Sequence, residues 1–238
     1  MNLLLVEPEE AVESGLARVT GRKARHVARV LGKRVGDTIR VGELGGQLGE
    51  GKVERIDDDE CWVRYAVDSS PPTPSPVSLI LALPRPPMLR RILQHVTALG
   101  IKRVVLLHAA RVEKSFWGSH SVTPDAIEDQ LLLGLEQARD TVLPRVELRS
   151  RFLPFVQDEL DTWAPTGARL VAHPDPQAKT LEPTTQPVTL AVGPEGGWVP
   201  FELDQLAALG FVAVSLGPRI LRVETAVVAS LGRLHVPP

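Results

Sequence analysis

Val188-Thr189-Leu190-Ala191-Val192-Gly193-Pro194-Glu195-Gly196-Gly197-Trp198 is a short apolar run that stops at a loop carrying three glycines in five positions. A five-residue run of this kind, bounded by Gly and Pro, reads as a strand buried on both faces. The pattern recurs at 77–83, 103–107, 168–172 and 212–216. Helical spacing fills the intervals. In 88–99, Leu89, Ile92, Leu93, Val96 and Leu99 fall on one face, and Gly100 stands where a helix would stop. Further helices are expected at 125–140, 154–160, 200–209 and 224–234. Apolar strands alternating with helices predict an α/β domain with a mostly parallel sheet. The last helix is apolar or small almost all round from Thr225 to Leu231, which predicts burial against a partner subunit or other loops.

Upstream of this domain, Ser69-Ser70-Pro71-Pro72-Thr73-Pro74-Ser75-Pro76 is uncharged, and four prolines in six residues exclude a sheet or helix interior. The expected division is a first domain over 1–68, a linker over 69–76 and a second domain over 77–238. The first part reads as short strands at 38–41 and 61–67, with a helical turn at 25–31. Gly42, Gly45, Gly46, Gly49 and Gly51 punctuate turns between them. A small β-barrel is the expected result.

A hydrophobic fraction of 43% and a charged fraction of 24% argue against wholesale disorder. No apolar run approaches the roughly 18 residues of a membrane helix. Cys61 is the only cysteine, so an intrachain disulfide is excluded. With no signal-like leader, the chain reads as cytoplasmic. The six histidines show no metal-ligand spacing, so no metal is expected. The net charge of −2 hides a local imbalance: 16–40 carries eight Lys/Arg against Asp37 alone. Arg22, Lys23, Arg25, His26 and Arg29 read either as a phosphate-binding cluster or as a solvated face.

In parallel sheets, ligands sit outside the carboxyl ends of the strands. Two loops are placed there. In 193–198 the glycines allow backbone groups to approach a ligand closely, with Gly196 expected to take a positive φ or to give that close backbone approach, so that a side chain there would enter the ligand crevice. A tight strand-to-helix turn is the alternative. In Gly217-Pro218-Arg219-Ile220-Leu221-Arg222-Val223-Glu224-Thr225-Ala226, the charged residues abut an apolar helix. They read either as an Arg–Glu structural pair or as an anion-stabilising guanidinium. His173 ends a third strand and can supply a third ligand loop. Cys61 reads as packing.

Taken in order, Gly193-Pro194-Glu195-Gly196-Gly197 and Leu216-Gly217-Pro218-Arg219-Ile220-Leu221-Arg222-Val223-Glu224-Thr225-Ala226 resemble the signature of the bacterial 16S ribosomal RNA uridine N3-methyltransferases, a family of SPOUT methyltransferases. Matches extend over most of the chain: His26-Val27-Ala28-Arg29-Val30-Leu31, Val35-Gly36-Asp37, Leu83-Pro84, Leu99-Gly100-Ile101, Glu136-Gln137 and Pro144. Departures lie at Ala98, at Arg139-Asp140 and at Arg111-Val112-Glu113-Lys114.

The resemblance implies a PUA-like β-barrel followed by a SPOUT domain with a deep trefoil knot. It also implies a homodimer and the cofactor S-adenosylmethionine, with a uridine of the small-subunit rRNA (position 1498 in the usual numbering) as acceptor. His173, Gly193, Pro194, Glu195, Gly196, Gly197, Leu216, Gly217, Ile220, Leu221 and Arg222 are then the cofactor-binding residues. Arg222 is the candidate catalytic cation with Glu224 as its orienter, and the 22–29 cluster holds RNA. A knotted enzyme acting on a ribose 2′-hydroxyl or another base, and a non-enzymatic RNA-binding module, are the rival readings.

Overall fold

A computed structural model describes residues 2–164, 166–175 and 178–234. They form two compact units. The first runs up to Thr73 and includes Leu132–Leu143; the second holds Pro74–Leu131 and the residues from Pro144 onward. The Pro-rich segment therefore coincides with the division. The return of 132–143 to the first unit was not anticipated.

In the first unit, six strands pair in the order β1 (Leu4–Val6), β4 (Thr38–Glu43), β5 (Leu48–Ile56), β6 (Glu60–Ser69), β3 (Leu16–Thr20) and β2 (Ala11–Glu13). Only β1 and β4 pair in parallel. The alternation of strand side chains puts Leu4 and Val6 into a core with Val19, Val41, Val53, Cys61 and Val63. Leu3 and Leu5 point the other way, onto Leu132 and Leu135. Two covered faces explain why 3–6 reads as a continuous apolar run rather than an alternating one.

Gly42, Gly49 and Gly51, expected in turns, lie within strands. A Cβ on Gly51 would stand 2.5 Å from Val63 Cγ1, so this glycine permits close packing rather than a turn. The expected turn at 25–31 begins earlier, as α1 (Gly21–Arg25), and continues as a π turn over His26–Val30.

The second unit is a seven-stranded sheet in which every pairing is parallel. Its order is β11 (Lys179–Thr180), β13 (Val212–Ser215), β10 (Ala168–Ala172), β12 (Val188–Val192), β7 (Val77–Ala82), β8 (Arg103–Leu107) and β9 (Arg145–Arg149). All residues of β7 and β12 are buried, so both faces of the sheet centre are covered.

Helix α2 (Pro86–Ala98) buries the expected stripe of Leu89, Ile92, Leu93 and Val96, and Gly100 ends it at φ +78°. Helix α3 (Pro124–Ala138) passes from the second unit into the first. Short α4 (Phe152–Pro154), a π turn (Phe155–Glu159) and α5 (Leu160–Trp163) make one helical segment, longer than the expected 154–160. Helix α6 (Pro200–Ala208) follows β12, and α7 (Val223–Leu234) packs on α2 and β12. Helix α7 buries Val223, Val227, Leu231 and Leu234 but leaves Val228 exposed, so within one chain it is not covered on every side. Strand β9 was missed because it is a charged edge: Glu147 pairs with Arg145 at 2.9 Å and with Arg149 at 2.7 Å.

Candidate functional site: a crevice at the carboxyl edge of the sheet

Strands β7, β8 and β9 advance along the sheet in one direction, while β12, β10 and β13 lie on the other side of β7. Ligands of α/β sheets sit at such a reversal, outside the carboxyl ends of the strands. The loops after neighbouring β10, β12 and β13 enclose a cavity of about 260 Å³ there. His173, Gly193, Pro194, Glu195, Gly196, Gly197, Leu216, Gly217, Ile220 and Leu221 all line it. Ten of the eleven expected cofactor-binding positions are thus brought together. Arg222, the eleventh, is exposed and outside the lining.

Local chemistry explains the loop shapes. The Gly197 N–H donates to Pro194 O at 2.8 Å, closing a turn that leaves Gly197 at φ +73°. Gly217 sits at φ +119°, where its N–H donates to Ser215 Oγ at 3.2 Å. The His173 N–H donates to Val214 O at 3.0 Å, tying the end of β10 to β13.

Gly196 is outside the positive-φ set, and a Cβ there would meet not the crevice but the Arg111 side chain, whose Cδ would stand 3.0 Å away. At Gly193 a Cβ would meet Trp198 Cδ1 and Nε1 at 3.1 Å. Trp198 is 3% exposed, and its Nε1 has no partner among the described residues.

The expected Arg222–Glu224 pair is not formed. Glu224 is half-buried in the first turn of α7, where its charge favours the helix N-terminus. Arg222 O accepts from the Ala226 N–H at 2.8 Å, so the backbone of Arg222 starts the helix while its side chain faces solvent.

The basic cluster of the first unit is largely neutralised from within. Lys23 is buried, with Nζ on Glu7 at 2.6 Å, Glu10 at 2.7 Å and Leu5 O at 2.8 Å. Arg22 makes a two-pronged bond to buried Glu136 at 2.7 and 2.8 Å. Arg29 does the same with Asp58; hydrogen bonding and charge together raise the guanidinium and hold the Asp58 carboxyl below the usual carboxylate range. His26 is half-buried. Arg25 is exposed and forms no ion pair among the described residues, so it is the cluster member whose charge stays uncompensated. Spacing alone could not reveal carboxylates supplied from distant segments.

Arg85 and Arg111 lie in the basic stretch 85–114, whose pattern reads as a local polyanion site or a solvated face; sequence reasoning missed their contacts with the glycine loop and missed Glu202 altogether. The Arg111 Nη1–H donates to Gly196 O, and the Arg85 N–H donates to Glu195 Oε1 at 3.1 Å. Glu202 is buried and accepts from the Ala110 N–H at 2.7 Å and the Val199 N–H at 3.0 Å. The position of Arg111 in the loop after β8, at the same carboxyl edge, adds to the signals of its basic stretch and of the Arg111-Val112-Glu113-Lys114 segment. No helix among the described residues is long and apolar enough to cross a membrane.

Fold and crevice define an α/β protein with a cavity at the carboxyl edge of a parallel sheet. Residues 71–235 match the family described as RNA methyltransferase domain, and the chain belongs to that family. It is 29% identical to the ribosomal RNA small subunit methyltransferase E of Treponema pallidum, over 97% of this chain and 89% of that one. With the protein of the same name from Synechocystis sp. it shares 28% identity over 98% of this chain and 76% of the relative. The ribosomal RNA small subunit methyltransferase E of Neisseria gonorrhoeae, solved bound to S-adenosyl methionine, superimposes with a TM-score of 0.76 at 20% identity. That match covers 97% of this chain and 95% of that chain, a likeness of fold.

Proposed function

We propose that this chain methylates N3 of a uridine in 16S rRNA, position 1498 in the usual numbering, using S-adenosylmethionine. The observation that carries the reading is the crevice itself, built by the two glycine-containing loops in a chain of the RNA methyltransferase family. Val192, Val214, Ile220, Leu221 and Val223 give the crevice apolar walls that suit the flat ring of the cofactor. Gly193 and Gly196 let Trp198 and Arg111 pack against the loop, Gly217 holds a turn at positive φ, and among the described residues the buried Trp198 indole N–H has no partner. His173, Gly193–Gly197, Leu216, Gly217, Ile220 and Leu221 would hold it. When bound, it supplies a methyl group already activated on a sulfonium, so the chemistry required of the protein is positioning and charge stabilisation.

Uridine N3 carries a proton that must pass to solvent water before the nitrogen can attack the sulfonium methyl, and negative charge then spreads to the flanking carbonyl oxygens. A preorganised donor near those oxygens lowers the barrier. Since N3 lies on the pairing edge, the base must be unpaired or extruded.

In this reading the first unit is a PUA-like module that holds the RNA backbone through Arg25, and the loops of the second unit form a trefoil knot. The protein works in the cytoplasm as a homodimer. Ile220, 88% exposed, and Val228 on α7 are apolar surface that a second copy would cover. Light scattering at micromolar concentration should return twice the 25.9 kDa chain mass, and a stable monomer would remove the dimer from the reading.

The test of function is nucleoside mass spectrometry on 16S rRNA incubated with protein and S-adenosylmethionine. 3-Methyluridine is expected. A ribose-methylated nucleoside would overturn the N3 assignment, and absence of cofactor binding by calorimetry would overturn the enzyme.

A further inference from the structure

Arg111 lies outside the two glycine-containing loops, in the Arg111-Val112-Glu113-Lys114 segment, yet it is fixed against the glycine loop. Its Cβ and Cδ cross Gly196 so closely that a Cβ on that glycine would stand 3.2 and 3.0 Å from them. Its Nη1–H donates to Gly196 O. The residue before it is fastened as well: the Ala110 N–H donates at 2.7 Å to Glu202, whose other oxygen accepts from the Val199 N–H at 3.0 Å. Glu202 is only 2% exposed, so one buried carboxylate staples the start of the Arg111 loop to the residue that follows Trp198. The Arg111 side chain nevertheless faces solvent, and among the described residues it forms no ion pair. Glu195, the carboxylate that lines the crevice, accepts instead from the Arg85 N–H at 3.1 Å.

We propose that Arg111 receives an anionic oxygen of the acceptor nucleotide at the rim of the crevice, in the role that spacing alone suggested for Arg222. The proposal rests on the methyltransferase reading above. A guanidinium stays charged at any working pH and carries five N–H donors. Here one is engaged by Gly196 O, which sets the plane of the group, and the rest remain available beside the cofactor loop. Arg222, by contrast, points to solvent beyond the lining. The anionic oxygen can be a backbone phosphate next to the target base or a carbonyl oxygen of the deprotonated base. Both ask for the same oriented cation.

Arg111→Met keeps the aliphatic stem over Gly196 and removes the charge; Arg111→Lys keeps the charge and loses the planar fork. Three measurements are made on the full chain: cofactor affinity by calorimetry, RNA affinity across a salt series, and single-turnover methyl transfer with both ligands saturating. Cofactor affinity should stay within about twofold of the parent for both variants, because the Arg111 side chain is not among the groups that line the crevice.

A phosphate contact appears as weaker RNA binding with the salt slope reduced by about 0.7, a slope that Arg111→Lys restores. Contact with the base oxygen appears as a single-turnover rate about a hundredfold lower at unchanged RNA affinity, only partly restored by Arg111→Lys. If Arg111→Met matches the parent in RNA affinity, salt slope and rate, or if its deficit is confined to cofactor affinity, the proposal is wrong. If the parent protein neither binds S-adenosylmethionine nor transfers a methyl group, the functional reading fails first.

Discussion

Adding one methyl group at Gly193 and one at Gly196 should have unequal consequences, although the two glycines share a loop. A Cβ at Gly193 meets three atoms of the Trp198 indole, at 3.1, 3.1 and 3.3 Å. Carbon atoms prefer roughly 3.5–4.0 Å, so the ring must move by a few tenths of an ångström. It has little room to do so: Trp198 is 3% exposed, and its ring lies 6.0 Å from that of Phe152, itself buried. Overpacking of this kind costs about 1–3 kcal/mol. For a chain of this length that is about 2–4 °C of melting temperature per kcal/mol. Trp198 also lines the crevice, so Gly193→Ala should weaken cofactor binding together with stability.

At Gly196 the same methyl meets only the exposed Arg111 stem, which can give by a few tenths of an ångström while its Nη1–H stays on Gly196 O, so the cost should stay within about 0.5 kcal/mol. Thermal unfolding and calorimetric titration of the two variants in parallel provide the check. Equal melting temperatures would refute the idea that a fixed Trp198 sets the shape of this wall.

Arg22→Ala should destabilise the first unit by on the order of 3 kcal/mol, because Glu136 is 1% exposed and loses the cation that neutralises it; a shift in the urea midpoint near zero would mean that Glu136 finds another partner. Asp57, Asp58 and Glu60 all hold their carboxyls below the usual range: Asp58 by the Arg29 hydrogen bonds, Asp57 by the Glu60 and Asp59 N–H groups, and Glu60 by Arg18 and then Trp62. Their native pKa values lie below the unfolded ones, so they add stability at neutral pH that is lost as acid protonates them, between about pH 5 and 2. Asp58→Asn should flatten that loss in urea titrations, and an unchanged pH dependence would count against the pairing. Cys61 is fully buried, and burial pushes its thiol up to about 11. Its reaction with a disulfide reagent at pH 8 should therefore be slow in the native protein and immediate in urea; fast native labelling would show that the strand opens readily.

The sequence by itself determined the parallel α/β unit, because the signals are local: runs of buried strand length, a stripe of Leu89, Ile92, Leu93 and Val96 at helical spacing, and Gly100 to end it. It also placed ten lining residues of the crevice, since loops at the carboxyl ends of neighbouring strands of a parallel sheet must meet. Glycines misled in the first unit, where Gly42, Gly49 and Gly51 look like turns and serve close strand packing. Charges misled most. A row of Lys and Arg over 18–29 is the same in sequence whether it faces a phosphate or a carboxylate, and only folding brings Glu7 and Glu10 to Lys23, Glu136 to Arg22 and Asp58 to Arg29.

The rim of the crevice was decided in the same way. Arg222, close to the motif, turns to solvent, while Arg111 and Glu202, separated from their partners by most of the sheet in sequence, are fixed around Gly196 and Ala110. The physical reason is range. Strand and helix patterns depend on neighbours a few residues away, whereas a guanidinium or carboxylate acts over a few ångströms of space and is blind to the chain that separates it from its partner.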